Sequence, residues 1–163
     1  KRQVKPRMST PIPTSVTTRK RYITLTDLST VLIIASIPLQ FWSPFTSLMV
    51  ACLGTLLTGL LTARLRGAIG AADLPRTELD EYEMQQHLEA RDDGLKFSLA
   101  ALVILLPVTG LIAWGARTMP IMDGVFVSQL YLKIILLLMV WVPFSVARSL
   151  AGKMNRDELI SKE

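Results

Sequence analysis

The chain has 163 residues, half of them hydrophobic and 19% charged, with a formal net charge of +5. A single cysteine excludes an intrachain disulfide, and a single histidine excludes a multi-histidine metal site. The basic balance sits in the N-terminal segment and at the borders of apolar blocks, so it reads as a topology signal and gives little support to nucleic-acid binding.

Charges are absent from several runs of about 20 residues, the length that crosses about 30 Å of hydrocarbon. Four such blocks predict an all-α integral membrane protein, its four transmembrane helices forming two hairpins joined by a cytoplasmic helical connector. Residues 1–21 are expected as a disordered basic arm, because Pro6, Pro11 and Pro13 lie among Ser and Thr without apolar periodicity. The chain begins at Lys1 rather than a methionine, and further residues are expected before it. Arg19-Lys20-Arg21 closes the arm where it can touch anionic lipid.

Hairpin one covers residues 22–63. Its first span, 22–42, has Thr26 or Asp27 as a cap near its start, and no small-x-small cleavage site follows it, which argues against a signal peptide. Gln40-Phe41-Trp42-Ser43-Pro44 predicts a tight turn with an interfacial aromatic pair. In the second span, 45–63, Ser47, Ala51, Thr55, Gly59 and Ala63 recur every fourth residue. Small residues in such a stripe let another helix approach closely in lipid, where dispersion and packing replace the hydrophobic effect. The stripe leaves open whether that helix is the chain's own or another subunit's. Cys52 reads as a small lipid- or helix-facing hydrophobe.

The connector, 64–96, has a helical start at Leu74-Pro75-Arg76-Thr77, with Thr77 as cap and acids crowding the first turns. Leu79, Tyr82, Met84 and Leu88 fall on two narrow apolar stripes, and from Glu78 to Asp93 seven acids face one arginine. Two readings stand: a solvated helix continuing into the next span, or a docking helix for a partner. The acidic face would be repelled by anionic headgroups.

Hairpin two covers residues 97–147, with spans at 97–114 and 125–146 and a short loop carrying Arg117 and Asp123. Pro38, Pro107 and Pro143 bend three of the four spans. Residues 148–163 are a polar tail of mixed charge, helical at first. Lys and Arg flank the connector, the arm and the tail, whereas the opposite loops hold only Arg117, so both termini and the connector are expected in the cytoplasm.

Ionisable groups inside a span are functional candidates by default. Lys133 is the one such case, about 12 Å into the fourth span. It is either a counter-ion for an acidic partner, a headgroup or a translocated anion, or a lysine that snorkels outward from a span starting near Leu130. No phosphate loop, nucleophile elbow or paired-histidine motif is present, and no cofactor or enzymatic activity is expected.

Glu78-Leu79-Asp80-Glu81-Tyr82-Glu83, followed by Arg91-Asp92 and a span, resembles small actinobacterial four-span membrane proteins. Those carry an acidic LDE juxtamembrane helix, a later Arg-Asp pair, a two-span hairpin and a closing proline and basic tail, here matched by Pro143 and Arg148. The resemblance covers about residues 76–148 and departs at Tyr82, where the pattern more often has arginine. It implies an accessory role in an envelope complex, such as a mammalian-cell-entry-type lipid importer. The expected partners are other membrane-protein subunits and the lipid bilayer. A small oligomeric transporter or channel with Lys133 near its path is the alternative.

Overall fold

The computed structural model describes residues 14–69 and 81–160, and these form four helices. They are α1 (Thr14–Leu39), α2 (Pro44–Ile69), α3 (Glu81–Thr118) and α4 (Gly124–Ile160). Each is long and apolar enough to cross a membrane. At 26 residues, α1 and α2 are about 39 Å long; α3, at 38, and α4, at 37, are about 55 Å. The two long helices therefore outreach a hydrocarbon core of about 30 Å by several turns.

Local chemistry accounts for the boundaries. Pro44 opens α2, where its missing N–H would have been unpaired anyway. Asp123 caps α4 by accepting the Phe126 N–H at 2.8 Å. Several hydroxyls inside the helices bond to the preceding turn: Thr30 donates to the Thr26 carbonyl, Thr55 to Ala51 and Thr58 to Gly54.

Several expected boundaries shift. Residues 14–21, expected as arm, are the first turns of α1, anchored by the fully buried Val16 and by polar bonds from Ser15 and Arg19 to α4. Thr26 and Asp27 therefore lie well inside α1 and cap nothing. The second span runs on to Ile69, and the connector helix and third span are one element, α3. Pro38, Pro107 and Pro143 all lie within continuous helices. The helical start at 74–77 and Leu79 lie outside the described residues.

Successive helices run antiparallel. Ser47 bonds the Ser36 carbonyl and Thr58 bonds Ser29 across α1 and α2. Gly94 abuts Val146, and Glu89 reaches Lys153, across α3 and α4. Helix α4 also packs on α1 and α2, so three helices share a seam while α3 leans on α4. A small apolar core at one end joins Leu65 and Ile69 to Ala90 and to Phe144, Ala147 and Leu150.

The small-residue stripe of α2 divides. Ser47, Ala51 and Thr55 are buried against the chain's own helices, whereas Gly59 and Ala63 are exposed. Four residues turn a helix by about 400°, so a strict four-residue repeat drifts about 40° per step away from any fixed partner. The face that remains buried mixes steps of three and four: Ala51, Gly54, Thr58, Thr62, Leu65 and Ile69. Gly54 is the point of closest approach, since a Cβ there would lie 2.8 Å from Ile33 Cγ1 and 3.2 Å from the Ser29 carbonyl.

Gly54→Leu should therefore force α1 from α2 and cost about 1–3 kcal/mol of stability, read by unfolding in detergent. Gly59→Leu, with nothing within 4 Å of its added Cβ, should leave stability unchanged. Equal effects from the two would contradict this packing.

Candidate functional site

The most unusual side chain is Lys133. It is 0% exposed, with its ammonium enclosed where α4 meets the α1–α2 turn. Burying an ammonium without acceptors is prohibitive, so its surroundings must supply them. It donates to Gln40 Oε1 and to Ser47 Oγ, both at 2.5 Å. Each acceptor is itself held: Gln40 Nε2 donates to the Phe126 carbonyl at 2.8 Å, and Ser47 Oγ to the Ser36 carbonyl. Phe41 and Phe126 cover the same corner, their ring centroids 5.0 Å apart. The snorkelling reading fails because the ammonium ends inside the protein. Its partners are an amide and a hydroxyl, so the lysine acts as a clamp that ties three helices at one end.

The opposite end is ionic. Arg19, buried, donates from Nε to the Ala68 carbonyl and from Nη1 to Asn155 Oδ1 and Glu158 Oε1. One guanidinium thus joins α1, α2 and α4, its fork of donors suiting several acceptors at once. The basic triplet expected to face lipid has therefore lost Arg19 to the interior. Asp27 pairs with Arg148 at 2.8 Å. The acidic face of α3 meets the tail of α4: Glu89 pairs with Lys153, Asp93 accepts from Ser149, and Asp157 accepts from Tyr82 and Gln86.

Tyr82 is 61% exposed and Leu88 52%, while Met84 is half-buried. Hence the expected docking residues are not one patch: Ser47, Ala51 and Thr55 are internal, Gly59 and Ala63 lie outward on α2, and Tyr82 and Leu88 project from α3. Gln40, Gly54 and Arg19 were missed. Gln40 had a legible signal, being an amide at the end of an apolar span, whereas nothing local to Arg19 points to Glu158, 139 residues away.

Hydrogen bonds from Lys153 and then from Gln85 hold the Glu89 carboxyl below the usual carboxylate range. A carboxyl depressed in the folded state stabilises above its ordinary pKa, and that contribution is lost as pH falls through the folded value. NMR titration should give a Glu89 midpoint below 4.5 that rises in Lys153→Met; an unmoved midpoint would dispose of the pair.

Gln40→Leu, which strips an acceptor from a buried ammonium, should cost about 3–5 kcal/mol. Lys133→Met should cost less, about 1–3 kcal/mol. The double variant should be less damaging than the sum of the two, by about 0.5–3 kcal/mol in a double-mutant cycle. Strict additivity would show that the clamp carries no energy.

Comparisons with protein-family models, curated proteins and solved structures find no match for this chain.

Proposed function

We propose that the protein is a non-enzymatic accessory or assembly subunit of a larger bacterial membrane complex. Its four helices cross the inner membrane as two hairpins, with the connector and both termini in the cytoplasm. The observation that carries this reading is the exposure of Tyr82 and Leu88 on the part of α3 that precedes its apolar stretch. Apolar side chains within a span are covered by lipid; these two, beyond it, have no such cover. Ile160, exposed at the end of α4, lies along the same cavity as Tyr82. On α2, Gly59 and Ala63 leave a smooth strip where a second helix can approach closely. The context of mammalian-cell-entry-type lipid import rests on the sequence resemblance.

Lys133 lends no support to a transport path, because its ammonium is enclosed and already bonded to Gln40 and Ser47.

A photo-crosslinker placed at Leu88 in the tagged full-length chain should capture one partner at fixed stoichiometry in intact cells. Leu88→Asp should cut that yield severalfold while leaving the chain in the membrane. Solitary migration after crosslinking, or a yield indifferent to Leu88→Asp, would refute the docking role.

A further inference from the structure

Two cavities adjoin along one face of α4, and Trp141 belongs to both. The first, about 420 Å³, lies between α1 and α3 with α4 as its floor, and every residue lining it is apolar, among them Ile34, Ile104, Leu105 and Leu137. The second, about 540 Å³, is lined by Arg148, Lys153 and Arg156 with Asp93 as its one acid, beside Phe97 and Phe144. Both volumes are in the range of small-molecule sites.

We propose that these two adjoining cavities together bind an anionic phospholipid, its acyl chain along the apolar one and its phosphate among the arginines of the other. Basic pockets between membrane helices are a general way of holding anionic headgroups. The dimensions match one lipid. From Leu130 to Trp141 the floor runs about 16 Å along the helix axis, and Arg148 lies about 10 Å further, at headgroup depth. Trp141 marks the boundary, where amphipathic rings settle in membranes.

Donors are free for the phosphate. Arg156 has no ion pair among the described residues. Arg148 uses Nη1 for Asp27, yet its side chain remains 51% exposed, and so exposed a pair adds little stability and leaves the other guanidinium nitrogens for a phosphate. Lys153 is engaged by Glu89 and contributes field more than a contact. Asp27 and Glu89, outside the lining, already hold Arg148 and Lys153, so the selection of an anionic over a zwitterionic headgroup falls to Arg156.

This site rests on the four helices being membrane spans, and the test separates the two claims. Full-length protein is first shown to stay in membranes through a carbonate wash, then purified in detergent and titrated with phosphatidylglycerol or phosphatidylcholine under native mass spectrometry. One phosphatidylglycerol should be retained in preference to phosphatidylcholine. Arg156→Gln, which breaks no structural pair, should lower that preference about fivefold. Leu105→Trp, filling the apolar part, should weaken retention of both lipids. Equal retention of the two lipids, a preference indifferent to Arg156→Gln, or a retention indifferent to Leu105→Trp would mean ordinary surrounding lipid and overturn the site. Displacement by inorganic phosphate with no effect of Leu105→Trp would reassign the pocket to a soluble anion, and a dimer abolished by Leu105→Trp would assign the groove to a second copy; either overturns the proposal. A chain released by carbonate overturns both the spans and the site, whereas one that stays but shows no preference overturns the site alone.

Discussion

A polar group that leaves water in a helix bundle costs free energy unless it finds a partner within the protein, and a charged one costs most. Several inward hydroxyls of α1 and α2, among them Thr30, Thr55 and Thr58, bond back to their own helices, and Ser47 bonds across to the Ser36 carbonyl. The Lys133 ammonium has no such local escape, and the fold answers by bringing Gln40 from the turn and Ser47 from α2 to meet it. That demand sets the position of α4 against the first two helices at one end. At the other end, Arg19 plays the corresponding part, gathering the Ala68 carbonyl, Asn155 and Glu158. Between these two polar ties, Gly54 lets α1 and α2 close to within a side chain's thickness.

Helix α3 stands apart from this economy of contacts. It is buried at Gln86, Ala90 and Gly94 near one end and at Ile112 and Gly115 near the other, Gly115 lying against Met122 of the following loop, and its middle is largely exposed. An open middle beside a closed three-helix seam leaves the groove between α1 and α3, and places exposed apolar side chains on α3 both within and before its apolar stretch. The proposed accessory role and the proposed lipid site are two consequences of the same loose attachment. The Glu89–Lys153 ion pair and the hydrogen bond from Ser149 to Asp93 keep the projecting ends of α3 and α4 together without closing that gap.

Hydropathy made the helix count legible, because about 20 uncharged residues in a row admit few alternatives. The turn at Gln40 to Pro44 was legible for the same reason, with proline marking the start of α2. Helix phase was harder. A repeat of four looks like a stripe on paper, yet it drifts, and the face of α2 that is buried had to be read with threes and fours mixed. Polar residues were harder still. Thr26 and Asp27 resembled a cap because the preceding residues looked like arm, whereas buried Val16 and Arg19 carry the helix back to Thr14. The destination of Lys133 depends on Gln40, 93 positions away, and no local pattern encodes such a pairing.

Four helices that cross the bilayer put the charged end of the bundle on one side and the 119–123 loop on the other. Cysteine labelling reads this directly. With Cys52→Ser as background, Gln85→Cys and Arg117→Cys are exposed in turn to a membrane-impermeant maleimide, before and after permeabilisation of cells. Four spans with a cytoplasmic connector require Arg117→Cys to label in intact cells and Gln85→Cys only once the membrane is opened. Labelling of both positions from the same side would contradict the arrangement.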